Sequence, residues 1–273
     1  MDWHMIVPRE GAFTKAEGES AWEVRLRCGR PMQMTGPFGV KDGSFPLTRE
    51  SVQLAAQALA GRSPARFEDA LREGYMPLPG GHRMGVCGHM TKGGLYVFSS
   101  LCVRMAHEIK DAAREVYPLT EGKNVLILGR PGSGKTTLLR DLVRRTAENR
   151  QVALTDTRGE IAACYQGVPQ LDIGPRCDVM TGGRKEDVML CMLRAMSPEV
   201  MAADEIGSPG DALALSQMQR CGVNILTTAH AASLEEARQR RALAPLFDEG
   251  IFHLCILLSA PGEKPRILPL CGG

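Results

Sequence analysis

The sequence predicts an α/β protein: a parallel sheet with helices on both faces, preceded by a small α+β domain. Three observations carry that prediction. After about residue 105, short apolar runs alternate with helical patterns, the rhythm of a sheet whose strands are buried on both sides. A glycine-rich octapeptide at residues 129–136 sits between one such run and one such helix. The 273 residues suffice for one large or two modest domains, and 44% hydrophobic with 23% charged residues is ordinary globular usage. That composition excludes disordered, collagen-like and coiled-coil chains.

In the first domain, residues 1–105, the first twenty residues read as irregular and polar. Residues 22–27 alternate apolar and charged side chains, a half-buried strand. Residues 47–61 read as a helix with Thr48 as N-cap and a stripe of Val52, Ala55, Ala56 and Leu59, leaving Leu54 outside. Residues 64–72 read as a second short helix, with Gly74 past its end. Residues 80–88 and 93–98 fit two short strands around a glycine-rich turn. The second domain, residues 106–273, opens with a helix over 107–116 that Pro118 breaks. Strands are expected at 125–128, 152–155, 200–203, 224–228 and 252–258, and helices at 136–148, 185–196, 210–221 and 234–243.

Nine cysteines, none in a C-x-x-C or a zinc spacing, read as reduced thiols buried like small hydrophobes. The N-terminus lacks a targeting pattern, and the longest apolar run, residues 251–258, is interrupted by His253 and far short of a membrane span. The expectation is a cytosolic protein, peripheral to a membrane at most.

The strongest chemical signal is Gly129-Arg130-Pro131-Gly132-Ser133-Gly134-Lys135-Thr136, which matches G-x-x-x-x-G-K-[ST] at every fixed position. Glycines let several backbone N–H groups curl around one phosphate, and the following helix adds its positive end. Lys135 is suited to the β- and γ-phosphates of ATP, and the Thr136 hydroxyl to Mg²⁺, with Thr137 continuing the nucleotide contact. The apolar strand at 200–203 then aims Asp204 and Glu205 at the sheet's C-terminal edge, where ligands bind in open α/β folds. Asp204 fits a Mg²⁺ partner and Glu205 a general base for the attacking water. The bland alternative is two solvated carboxylates capping the next helix. In Thr227-Thr228-Ala229-His230, Thr228 or His230 is placed to sense the γ-phosphate, or His230 is simply satisfied at a strand end. In Asp156-Thr157-Arg158-Gly159-Glu160, either carboxylate is placed for Mg²⁺ or its water, Glu160 being the preferred ligand; the alternative is a turn capped by its own acids.

In that order, the phosphate loop, the acidic segment 156–160, the Asp204-Glu205 pair and the Thr-Thr-Ala-His segment resemble the type II and type IV secretion ATPases. Within that superfamily the chain is most similar to the stage III sporulation protein AA family. Residues 22–27, 80–88, 99–108, 156–163 and 196–207 carry that similarity. Typical secretion ATPases follow the catalytic glutamate with Arg-Asp and precede it with glycine; here Ile206-Gly207 follows and Asp204 precedes, which favours the sporulation branch. The resemblance implies a RecA-like P-loop ATPase domain behind the α+β domain, a homo-oligomeric ring, usually a hexamer, and ATP with Mg²⁺ as ligands. It implies a mother-cell motor, with membrane proteins of a sporulation channel as partners. It also implies roles near the nucleotide for Arg83, Arg104 and Arg194, the kind of arginine that completes a site across a subunit interface.

Two other function classes compete with that one. A RecA-like ATPase acting on nucleic acid needs a basic groove and stacking aromatics, and a net charge of +2 with 5% aromatics gives that little support. A nucleotide-gated scaffold with little turnover is disfavoured by the presence of Lys135, Asp204 and Glu205 together.

Overall fold

Apolar side chains at every second position build the first sheet. Val24 and Leu26 on β1 (Glu23–Arg27) point to one face with Met32 and Met34 of β2 (Pro31–Gly36), while the charged residues between them face outward. Strand β3 (Gly39–Pro46) extends this hairpin, and β4 (Met76–Pro77), β5 (Arg83–Met90) and β6 (Tyr96–Arg104) complete an antiparallel sheet in the order β3-β2-β1-β6-β5-β4. Helix α2 (Arg49–Leu59) covers the apolar face with Val52, Ala55, Ala56 and Leu59, its N-terminus closed by the Thr48 hydroxyl accepting from Ser51 N–H. Leu54 stays outside, as its position on the helical stripe requires.

The computed structural model describes residues 13–61, 75–90 and 96–270, in two compact units, Met1–His107 and Glu108–Gly273. The expected helix at 64–72 lies outside the described residues. So do residues 1–12; the segment after them is not irregular, since α1 (Lys15–Ser20) forms behind a Thr14–Glu17 capping box.

The second unit is a seven-stranded sheet in the order β13-β12-β7-β11-β10-β8-β9. Its strands are β7 (Val125–Gly129), β8 (Val152–Thr155), β9 (Cys177–Met180), β10 (Val200–Ala203), β11 (Asn224–His230), β12 (Leu254–Leu258) and β13 (Arg266–Pro269). All neighbours are parallel except β12 and β13. Strands β7, β8, β10 and β12 are buried at every residue, as helices on both faces demand. Val125 and Ile127 of β7 pack with Leu138, Leu139 and Leu142 of α4 (Lys135–Thr146). Leu126 and Leu128 pack the other way, with Met189 and Met192 of α5 (Lys185–Met196) and Leu215 and Met218 of α6 (Pro209–Arg220).

Several expectations are corrected. Residues 107–116 are turns rather than helix: Asp111 takes a left-handed conformation (φ 63°), and the Ala113 N–H donates to the Asp141 carboxylate at 2.8 Å instead of to a carbonyl four residues back. Pro118 does not break a helix but opens one, α3 (Tyr117–Thr120), where its missing N–H costs nothing. The helix expected over 234–243 stops at Arg240, which is extended, and Pro245 starts another; these are α7 (Leu234–Gln239) and α8 (Ala244–Asp248). The described cysteines are all free, but only Cys255 is buried; Cys191 falls on the outer face of α5, opposite Val188, Met189 and Met192. No helix among the described residues is long and apolar enough to cross a membrane.

The turn at 111–116 is held to α4 by one buried carboxylate. Asp141 accepts from Ala113 N–H, from Arg145 Nε at 3.0 Å and from Arg144 at 2.7 Å. Burial opposes the charge, but the Ala113 N–H and the two guanidinium groups outweigh it and hold the carboxyl below its ordinary value. Its stabilisation is therefore present above the ordinary carboxylate range and is lost as pH falls through the lowered value. Asp141→Ala is expected to cost about 3 kcal/mol in urea unfolding at neutral pH, with the gap to wild type closing in titrations carried below the ordinary carboxylate range.

Candidate active site

The C-terminal ends of β7, β8, β10 and β11 converge because parallel register puts their last residues level: Thr155 with Ala203, Ala203 with Thr227, His230 with Gly129. A cleft of about 390 Å³ opens at this edge. Pro131, Gly132, Gly134, Lys135, Thr136, Thr137, Arg158, Glu160, Asp204, Glu205 and His230 line it. All of these except Arg158 are site residues expected from the sequence.

The loop from β7 into α4 turns on Gly132 and Gly134, whose φ values of 76° and 95° lie where only glycine is unstrained. Gly129 has another reason: a Cβ there would strike the Ser133 hydroxyl and sit 2.9 Å from the Leu258 carbonyl oxygen. The first helical bond runs from Leu138 N–H to the Gly134 carbonyl, so the N–H groups of Lys135, Thr136 and Thr137 lie ahead of the ladder. Lys135 is only 6% exposed and donates to the Gly129 and Arg130 carbonyls, both at 3.0 Å. Burial lowers its pKa, while Asp204 and Glu205 pull it back up.

The acid pair departs from strand geometry. Successive strand residues point to opposite faces, yet Asp204 and Glu205 both line the cleft. Glu205 manages this with φ 56°, a strained value for a residue with a side chain. Thr228, fully buried, supports it: its hydroxyl accepts from Glu205 N–H at 2.8 Å and donates to Asp204 Oδ1, and its carbonyl accepts from Ile206 N–H at 2.8 Å. Lys185 Nζ donates to the Glu205 carbonyl. Asp204 Oδ2 accepts from the Thr136 hydroxyl at 2.9 Å. His230 Nδ1 lies 3.0 Å from Lys135 Nζ and Nε2 lies 3.3 Å from Glu205 Oε1. An ammonium can only donate, so Nδ1 accepts and the ring proton sits on Nε2, facing Glu205.

Asp156 and Glu160 separate. The buried Asp156 accepts from the N–H groups of Glu160, Ile161 and Ala162 at 2.9–3.1 Å and so fixes a turn, the bland alternative for this segment. Burial pushes its carboxyl up against the pull of those three donors. Glu160 reaches the cleft wall. Arg194 is exposed in the last turn of α5, ahead of β10 and so at the sheet edge opposite Asp204. Arg83 and Arg104 belong to the first unit, where they stand in register on β5 and β6.

The donor set fits magnesium and a nucleotide. Ser133 Oγ is a buried polar atom without a hydrogen-bond partner, at the centre of the loop. No group of three or more His, Cys, Asp or Glu side chains suited to a metal exists among the described residues. Magnesium asks for none, since it keeps waters and takes one or two protein oxygens beside phosphate oxygens. A second cleft of about 470 Å³ shares Gly134 and Thr137 with the first and has a partly apolar wall of Ile109, Val116, Leu138, Leu258, Pro261 and Pro265.

Comparison with known proteins agrees with this architecture. The family model described as "Sporulation stage III, protein AA" matches residues 11–271. The stage III sporulation protein AA of Bacillus subtilis is 34% identical over 262 residues, covering 90% of this chain and 85% of the relative. Among solved structures, the pilus retraction motor PilT with bound ADP superposes with a TM-score of 0.65 at 13% identity, over 94% of this chain and 82% of that one. The Legionella pneumophila ATPase DotB gives 0.59 at 16% identity, over 93% and 76%. The fold is that of the RecA-like secretion ATPases.

Thr228→Val removes the acceptor for Glu205 N–H and the donor to Asp204 while keeping the shape. It is expected to lower stability by about 1–3 kcal/mol in urea melts, and Thr228→Ser to recover most of that loss.

Proposed function

Because this chain belongs to the sporulation stage III, protein AA family, we propose that it is a magnesium-dependent ATPase motor, working as a ring of identical subunits, six in number, that energises a secretion-like channel between mother cell and forespore. The observation that carries the reading is the joined pair Thr136–Asp204 beside Glu205, set at the mouth of a phosphate loop. Membrane proteins of that channel are the expected partners, with the motor on the mother-cell side and held at the membrane through them.

The chemistry follows from the side chains. Lys135 exchanges its two backbone carbonyls for β- and γ-phosphate oxygens, and the loop N–H groups hold the phosphate chain. Thr136, Asp204 and Glu160 would hold Mg²⁺, which when bound would supply neutralisation of the phosphate charge. Glu205 orients the attacking water and takes its proton. His230, with its proton on Nε2, keeps the Glu205 carboxylate in place. The second cleft suits the nucleotide's base, being partly apolar and continuous with the loop.

An arginine from the next subunit completes the site in this reading, and Arg83 with Arg104 is the favoured source. Like charges in register on neighbouring strands cost stability. Glu23 lies 3.6 Å from Arg104 and also pairs with Arg25, and Arg83 stacks over the Tyr75 ring. Two guanidinium groups in register on one sheet suit an anionic target. Arg194, exposed at the opposite sheet edge, remains the second source.

Lys135→Ala is expected to lose ATP turnover by about 100-fold or more. Glu205→Gln is expected to lower turnover by a similar factor while retaining bound ATP in a filter-retention assay; release of ATP at the wild-type rate would refute the role of Glu205. The specific rate of ATP hydrolysis should climb with protein concentration, because each site is finished by a neighbour. A specific rate independent of concentration over the range where the oligomer forms would remove the shared-site ring from the proposal.

A further inference from the structure

The geometry points to Arg158 as a γ-phosphate-responsive residue of this chain's own site: it holds the Glu205 carboxylate, and it exchanges that carboxylate for the terminal phosphate of ATP. The inference rests on the ATP-site reading above.

Arg158 follows β8, the strand next to β10, and the register Thr155–Ala203 brings it level with Asp204 and Glu205. Its backbone is fixed. Asp156 accepts three N–H groups from residues 160–162, Gly159 N–H donates to the Asp156 carbonyl at 3.0 Å, and Arg140 ties the Glu160 and Ile161 carbonyls to α4. Its side chain, by contrast, is 64% exposed and reaches the cleft, where it pairs with Glu205 Oε2. An anchored turn with a long, wet side chain at its tip is a pivot.

Two features give the pivot a direction. Arg158 takes Glu205 Oε2, and His230 Nε2 stands 3.3 Å from Oε1, so one oxygen of the proposed base is occupied and the other lies beside the imidazole. The oxygen paired with Arg158 is not open to a water while that pair lasts. In addition, Asp204, Glu205 and Glu160 line the cleft against two Lys or Arg side chains, Lys135 and Arg158. A terminal phosphate entering beside three carboxylates calls on the second cation as well as the first. An ion pair this open to water holds weakly, and a phosphate carries more charge than a carboxylate and accepts the same two-pronged donation. ATP therefore draws Arg158 off Glu205 and frees one carboxylate oxygen for the water; ADP, lacking the terminal phosphate, leaves the pair intact.

The test is calorimetric binding of Mg-ATPγS and Mg-ADP to the full chain in a double-mutant cycle. Arg158→Gln is expected to weaken ATPγS about tenfold and to change ADP less than about twofold. Arg158→Lys should fall between, since an ammonium is a point charge. Glu205→Gln, which removes the charge that pairs with Arg158, should tighten ATPγS several-fold, and that gain should vanish when Arg158→Gln is also present. A gain that survives in the double variant, or an equal loss of ADP affinity in Arg158→Gln, overturns the exchange and leaves only a general charge effect. Failure of the wild-type chain to bind either nucleotide overturns the ATP-site reading itself. The Arg158 substitutions lie at an exposed side chain, and unchanged far-ultraviolet circular dichroism separates binding effects from misfolding.

Discussion

One buried hydroxyl organises the edge of the sheet on which the chemistry sits. Thr228 occupies a central strand, where a polar side chain needs partners, and its partners are the two groups the site has to place: the Asp204 carboxylate and the Glu205 backbone. Without that bridge, the chain after β10 would continue its alternation and send Glu205 to the face opposite Asp204. The left-handed turn at Glu205 is strained, and strain of about 1–3 kcal/mol persists only where neighbours enforce it. Thr228 from one side and Lys185 from the other supply that enforcement. Two consecutive acids on one cleft wall are thus a consequence of tertiary contacts, not of the strand that carries them.

The cations around the pair are ranked by burial. Lys135 is enclosed, its pKa lowered by burial, and it is fixed by carbonyls that lie within its own loop. Lys185 is likewise pushed down by burial, with Arg158 adding to the effect, and it spends its donation on the Glu205 carbonyl. Arg158 alone of the three keeps a largely exposed side chain. Lys135, buried, and Lys185, half-buried, donate to backbone carbonyls of the site. The exposed guanidinium is the member whose partner can change at low cost.

Much of this is legible in the sequence, and what is not has identifiable causes. The buried parallel strands are readable because burial on both faces writes continuous apolar runs, and the loop is readable because only glycine tolerates φ values of 76° and 95°. The strands at 39–46, 177–180 and 266–269 escape such a reading because they lie at sheet edges with exposed or half-exposed side chains, while 31–36 signals its buried face with two methionines alone. The segment 107–116 reads as helix locally; a carboxylate 28 residues further on takes the Ala113 N–H and overrules that propensity. Arg158 is hidden between two acids that draw attention first. Its signal is topological: an arginine three residues past the end of a strand adjacent to the acid-bearing strand emerges at the same edge.

The Thr136–Asp204 hydrogen bond explains why the site suits a metal that arrives with its ligand. The hydroxyl proton is committed to Asp204 Oδ2, so the lone pairs of Thr136 Oγ1 are turned toward the cleft. That is the orientation a hard cation requires of a neutral oxygen ligand. Asp204 is itself fixed at both oxygens: its Oδ1 accepts from the Thr228 hydroxyl of the neighbouring strand and its Oδ2 from the Thr136 hydroxyl. The Thr228 that steers Asp204 also fixes the backbone of Glu205, so the Thr136–Asp204 pair and the Glu205 carboxylate are set by the same strand.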